Sequence, residues 1–356
     1  MADGGAVDPD KLNQFIGRFV NDLGAAMHGA TVVVGEKLGL YTALNVPGGL
    51  TPAELAQKTE TVERYVREWL ASQAASQYVS FNEANGKFYL SPEQAFALTN
   101  ERGPAYFPGA FYLAGANYKD EGRILAAFRS GKGVGWHERD ADLFAGTSKF
   151  FRPNYMANLI SSWLPALEGV VPKLEAGARV ADVGCGLGSS TLLMSAAYPR
   201  STFAGFDYHA ASIDGARSAA AQERAVERVK FSVASAQDFP GPNYDLITFF
   251  DCLHDMSDPI GAARHVRERL KDDGVWMLVE PYANEKLTEN MNPVGRVFYS
   301  ASTMICTPAG TFPEGGLALG AQASDSRLKE VAQAGGFTRF RRATETPFNR
   351  VFEIRP

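Results

Sequence analysis

Apolar residues near the start of the chain recur at helical intervals. Leu12, Phe15, Ile16, Phe19, Val20 and Leu23 form one run, and Val32, Val33, Val34, Leu38, Leu40, Tyr41 and Leu44 form a second. Spacing of this kind predicts amphipathic helix across residues 12–44. Thr51-Pro52-Ala53-Glu54 and Ser91-Pro92-Glu93-Gln94 both read as capping boxes with proline at the first helical position, so a helix should start at each. Between them Val62, Val66, Trp69, Leu70 and Ala74 share one face, predicting a helix over about 61–79. Tyr78–Phe81 and Lys87–Leu90 flank Asn85-Gly86, the signal of a β-hairpin. Helices followed by a hairpin describe a winged helix over residues 1–100.

After residue 178 the pattern changes. Apolar runs at 179–183, 202–206, 229–233, 244–250 and 275–280 predict strands, and amphipathic stretches at about 189–198, 210–224, 258–271 and 325–334 predict helices between them. A last pair, 337–344 and 347–354, should form a hairpin at one sheet edge. This rhythm implies an α/β fold with a doubly wound, seven-stranded, mostly parallel Rossmann-like sheet over residues 179–356. Residues 101–178 read as a helical connector rich in aromatic residues and broken at Gly131-Lys-Gly-Val-Gly135. Its rings either pack the domains together or wall a substrate pocket. Residues 281–324 show little periodicity and are expected to form a lid or pocket element.

Length and composition narrow the class. With 356 residues the chain is long enough for about two domains of roughly 100–200 residues each. It is 45% hydrophobic and carries a formal charge of −5, so it has no global basic field for nucleic acid or an anionic membrane. Residues 1–100 hold seven Lys/Arg against eleven Asp/Glu. A DNA-binding winged helix needs a basic footprint, so a dimerisation role is expected instead. Cys185, Cys252 and Cys306 lie far apart with no paired spacing, which argues against structural zinc or disulfides and fits a reducing cytoplasm. The acidic first residues do not read as a signal peptide, and no apolar run reaches the roughly 18 residues of a membrane helix.

The candidate chemistry begins at the first predicted strand. Val180–Val183 runs into Gly184, Gly186 and Gly188, then Ser189-Ser190-Thr191 and a helical stretch. A loop without side chains lets a ligand lie against backbone N–H groups at the positive end of a helix. The order G-x-G-x-G departs from the dinucleotide order G-x-G-x-x-G. With Asp182 two residues before the first glycine, the stretch resembles motif I of class I S-adenosylmethionine (SAM) methyltransferases. Asp207, nineteen residues after Gly188, closes the second strand, where a carboxylate can accept both ribose hydroxyls of an adenosine. Ala234-Ser-Ala-Gln-Asp-Phe239 follows the third strand. Methyltransferases of this class often place an Asp there for the adenine amino group; here Ser235, the Ala236 N–H or Gln237 is left to supply that contact, and Asp238 to cap or face solvent. Phe250, at the end of the fourth strand, completes the cofactor-binding set.

Asp251-Cys-Leu-His254-Asp-Met-Ser-Asp258 resembles the His-Asp-Trp-Ser-Asp stretch of plant caffeic-acid-type O-methyltransferases, with Met256 in place of Trp. Bacterial winged-helix small-molecule methyltransferases are equally similar. The resemblance covers nearly the whole chain and implies a homodimer, SAM as cofactor and a small acceptor, aromatic compounds among the candidates, methylated at oxygen. It also implies that His254 is the general base and Glu280 its orienting carboxylate. The second flanking Glu of that family falls on Gln322. The bland alternative for His254 is a satisfied histidine at a strand end. A second enzyme reading, the α-keto-acid C-methyltransferases, needs the His-Asp pair and a further histidine for iron; no histidine lies between 266 and 356, and no metal site is assigned. A SAM-responsive winged-helix transcriptional regulator is the reading from another class.

Overall fold

The computed structural model describes residues 6–313 and 315–356. It forms two compact units, Met1–Gly115 and Ala116–Pro356. In the first, helix α1 spans Pro9–Lys37, capped by the Asp8 carboxylate, which accepts from the Asp10 and Lys11 amides at 3.0 and 3.3 Å. The two predicted apolar runs part company here. Val32 is fully buried, whereas Phe15, Phe19 and Val20 on the first half of the same helix are about 60% exposed. Gly39 ends the helix in a left-handed conformation, and a short α2, Leu40–Leu44, turns back into the core.

Helices α3 (Pro52–Lys58), α4 (Glu63–Ala75) and α5 (Pro92–Thr99) follow, with strands β1 (Ser80–Asn82) and β2 (Lys87–Tyr89) before α5. Both capping boxes form as the sequence predicts. Leu44, Leu55, Val66, Trp69 and Leu70 pack as one apolar cluster. Gln73 is buried within it and fully used: it accepts from the Tyr41 hydroxyl, pairs with His28 Nε2 and donates to Thr31 Oγ1. On α4 the charges pair along the helix, Arg64 with Glu68 and Arg67 with Glu63.

Helix α6 (Ala110–Lys119) leads into the second unit, where α7 (Glu121–Ser130), α8 (Ala141–Asn158) and α9 (Val170–Ala176) precede the sheet. Its strands are β3 (Arg179–Val183), β4 (Thr202–Asp207), β5 (Val229–Val233), β6 (Tyr244–Phe250), β7 (Leu270–Pro281), β8 (Arg339–Glu345) and β9 (Asn349–Arg355). They lie in the order β5-β4-β3-β6-β7-β9-β8, parallel except where β9 runs antiparallel between β7 and β8. Helices α10 (Ser189–Ala197), α11 (Ala210–Gln222), α12 (Pro259–Arg269) and α15 (Asp325–Ala334) connect them. Because strand side chains alternate, Val180, Leu246 and Met277 feed one core while Ala181, Ile247 and Trp276 feed another on the opposite face.

Residues 281–324 carry more helix than their weak periodicity suggests. Helix α13 (Pro293–Ala301), a π-helical turn at Ser302–Cys306 and helix α14 (Thr307–Thr311) form one nearly continuous segment. Its start is legible afterwards: Asn292 caps the helix and Pro293 occupies its first turn. No helix among the described residues is long and apolar enough to cross a membrane.

Candidate active site

The carboxyl ends of β3, β4 and β6 open into a cavity of about 410 Å³, where ligands bind in open α/β sheets. Gly184 and Gly186 form its glycine-loop wall, both with positive φ, +74° and +51°. A side chain at Gly184 would meet Cys252 Sγ at 2.7 Å; at Gly186 nothing lies within 4 Å, so the backbone there is bared to the cavity. Asp207 lines the same cavity beside the loop. One of its oxygens accepts from the Gly186 amide and the other from the His209 amide, each at 2.9 Å. Burial raises its pKa, and these two amides pull the other way.

Of the predicted cofactor-binding residues, Gly184, Gly186, Asp207, Ser235, Ala236, Gln237 and Phe250 line this one cavity. Asp182 and Gly188 do not. Asp182 lies beneath the loop, 1% exposed, accepting from the hydroxyls of Ser190, Thr191 and Thr248 at 2.7, 2.5 and 3.0 Å. It holds the start of α10 from beneath the loop. Gly188 caps α10 against Phe231. At the β5 end, Asp238 accepts from the Ser235 amide and hydroxyl, and Gln237 Nε2 donates to the Asp258 carbonyl. Asp238 is thus a local cap.

His254 and Glu280 also sit behind the cavity wall. His254 is 3% exposed and its Nδ1 lies 2.5 Å from Glu280 Oε2, while Glu280 Oε1 accepts from the Leu253 amide. That pairing fixes the proton on Nδ1. Nε2 faces Asp255 Oδ1 at 3.3 Å, and it is Asp255 that lines the cavity. Burial alone would lower the pKa of the ring, but Glu280, Asp255 and Cys306 outweigh it and hold it well above the usual histidine value. Gln322 makes no contact with this ring. Its amide donates to the carbonyls of Tyr282 and Ala321, so the second carboxylate beside His254 is Asp255, its chain neighbour.

Several wall residues were not singled out from sequence. Asp251, one residue past β6 with φ +50°, accepts from the Tyr155 hydroxyl at 3.0 Å and from Asn349 Nδ2 at 2.6 Å. Burial and then the Glu280 charge raise its pKa to about 8. His209 reaches the cavity and stacks on Phe144 with ring centroids 4.1 Å apart. Trp136, Phe151, Tyr155 and Phe312 add aromatic wall, so part of the aromatic connector faces a ligand space and part packs in the core.

Comparison with known proteins finds two matching domain families and several similar folds. Residues 174–335 match the methyltransferase domain family, and residues 26–100 match the Rv2258c-like winged HTH domain. A methyltransferase of Bacillus subtilis strain 168, YcgJ, is 37% identical over 123 residues, spanning 33% of this chain and 47% of that protein. The chain therefore matches about half the length of that relative. Human N-acetylserotonin methyltransferase, solved with SAM, superposes with a TM-score of 0.72 at 17% identity, covering 99% of both chains. Mitomycin 7-O-methyltransferase MmcR gives 0.66 at 16% identity, covering 98% of this chain and 100% of that one. NcsB1, an O-methyltransferase from neocarzinostatin biosynthesis solved with SAM and a naphthoic acid, gives 0.61 at 15%, covering 92% and 95%. At such identities these likenesses speak to the fold. The chain thus joins a segment similar to a winged HTH domain to one similar to a methyltransferase domain.

Proposed function

We propose that this protein transfers a methyl group from SAM to a hydroxyl oxygen of a small acceptor with an aromatic body. One observation carries the reading: the bared Gly186 backbone, the Asp207 carboxylate and Asp255, the outer member of the His254 cluster, are walls of one cavity. The cavity residues suit the cofactor. The Gly184–Gly186 backbone and the start of α10 would receive its amino-acid end, Asp207 the ribose hydroxyls, and Ser235–Gln237 the adenine. When bound, the cofactor supplies a methyl group made electrophilic by its sulfonium.

The chain's own contribution is alignment and handling of the acceptor's proton. Trp136, Phe144, Phe151 and Phe312 offer flat apolar surface to a ring. The acceptor hydroxyl meets Asp255 first, with the His254 ring behind that carboxylate and Glu280 holding its Nδ1. Solved relatives named for O-methylation support oxygen as the receiving atom. On the winged-helix unit the paired charges of α4 present no basic face, which disfavours a regulator that reads DNA. The exposed apolar half of α1 fits a homodimer, because such a face is too large to stay in water alone.

The test is incubation with SAM carrying an isotopically labelled methyl group and a panel of catechols, flavonoids and hydroxyquinones, with NMR of the product. Label in a methyl ether is expected. Label on carbon or nitrogen would overturn the assignment to oxygen.

A further inference from the structure

Three carboxylates line the cavity: Asp207, Asp251 and Asp255. Asp207 is held by the Gly186 and His209 amides at the end of β4, and Asp255 faces His254 Nε2 at 3.3 Å. Asp251 is the acid that the proposed chemistry leaves unused. Its two oxygens are held by neutral donors, the Tyr155 hydroxyl of α8 and the Asn349 amide of β9. The charged groups that face it are Glu280 of β7, which repels a charge there, and His254, which attracts one. Burial and Glu280 prevail, so at neutral pH the carboxyl by itself keeps its proton. Its backbone is left-handed, with φ +50°. That conformation is strained for a residue with a side chain, and such strain gathers at ligand sites.

Strand register places Asp251 beside the glycine loop. β3 and β6 are parallel neighbours with Val183 opposite Phe249, so Asp251 comes level with Cys185, between Gly184 and Gly186. The sheet order then divides the cofactor. Asp207 and Ser235–Gln237 follow β4 and β5 on one side of β3, and Asp251 follows β6 on the other. With the adenosine on the β4–β5 side, the amino-acid end lies toward β3 and β6, where Ser148, Tyr155 and Ser189 also line the cavity. That end carries an α-carboxylate and an α-ammonium. The loop amides and the start of α10 suit the carboxylate. A buried acid held only by neutral donors suits the ammonium.

We infer that Asp251 is the anionic partner of the α-ammonium group of the cofactor. The assignment rests on the methyl-transfer reading and adds to it the residue that fixes the cofactor's amino-acid end. An ammonium beside the acid favours its ionised form. Binding therefore releases the Asp251 proton to solvent and leaves a charge-assisted hydrogen bond in its place. Tyr155 and Asn349 act as positioning residues: each fixes one oxygen, and the remaining lone pairs are left for the ligand.

The experiment is calorimetric titration of the full-length protein, wild type and Asp251→Asn, at pH 8 with two ligands. One is S-adenosylhomocysteine (SAH); the other is its analogue with hydrogen in place of the α-amino group. SAH has no sulfonium, so the pair isolates the ammonium. Asparagine keeps the size of the side chain, and the Tyr155 hydroxyl can turn to accept from its amide. Asp251→Asn should weaken SAH binding roughly tenfold, the difference between a charged and a neutral hydrogen bond, and leave the analogue unchanged. Equal weakening of both ligands, or unchanged SAH affinity, overturns the assignment. The wild type supplies a second measurement that holds even where the variant does not fold. At pH 7, titrations in buffers of different ionisation enthalpy should show roughly one proton released with SAH and none with the analogue. Equal release with both contradicts the assignment. A wild type that binds neither ligand would instead sink the methyl-transfer reading, whereas SAH binding without this selectivity sinks the Asp251 assignment alone.

Discussion

The Tyr155 hydroxyl on α8 donates to Asp251 Oδ2 at 3.0 Å, joining the aromatic connector to the mouth of the central strand β6. Asn349 of β9 holds the other oxygen of the same carboxylate. Three elements, nearly a hundred residues apart in each direction, thus meet on one buried acid at the cavity.

Tyr155→Phe removes one donor to that acid. Because the hydroxyl favours the ionised form, and burial has raised the Asp251 pKa to about 8, the cost should grow as pH rises through that value. A destabilisation of about 1.5–3 kcal/mol is expected at pH 9, the range for a hydrogen bond to a charged group, and less at pH 6. Urea unfolding at both values decides it. Equal losses at the two would mean the hydroxyl does not sense the charge.

Asp182 gives a second pH signature. Burial raises its pKa to about 6, above the ordinary 3.8, despite three hydroxyl donors. The folded state therefore binds this proton more tightly than the unfolded chain does, so its contribution to stability falls as pH rises from about 4 to 6 and stays low above that. Asp182→Asn should flatten that part of the stability profile by about 2–3 kcal/mol. A profile as steep as the wild type's would contradict the shift.

The glycine loop, Asp207 and the strand–helix rhythm were legible because each is a local pattern: alternation, spacing or a turn that side chains would block. The winged helix was legible for the same reason, from two capping boxes and one hairpin turn. What escaped was set by contacts over long separations. Nothing near Cys306 announces that the chain returns it to His254. Asp251 looked like one more strand-end acid until Tyr155 and Asn349 converged on it. Asp182, read with the cofactor-binding set, lies beneath the loop with its carboxylate held by Ser190, Thr191 and Thr248, a contact no local pattern announces. The α13–α14 segment was missed because the π-helical turn at Ser302–Cys306 interrupts its repeat, although Asn292-Pro293 marked its start.

Substitution of His254 separates chemistry from cofactor binding, since the ring lies behind the wall. His254→Ala should lower kcat by on the order of 10²–10⁴, the usual worth of a positioned acid–base group, while SAH affinity holds. Wild-type turnover would leave His254 a structural residue.

The first half of α1 predicts an assembly. Phe19→Glu with Leu23→Glu places charge on an apolar face that is 58% and 51% exposed at those positions. Sedimentation velocity should show a dimer for the wild type and a monomer for the double variant. A monomeric wild type would leave that face without the proposed partner.

The most direct test of cofactor use is calorimetric titration of SAH into the wild type, Asp207→Ala and Gly186→Val. One site is expected in the wild type. Asp207→Ala should bind roughly ten- to a hundredfold more weakly, the equivalent of losing charged hydrogen bonds of about 1.5–3 kcal/mol. Gly186→Val should not bind, because its side chain projects into the space bared at Gly186. Affinity unchanged in both variants would contradict the site.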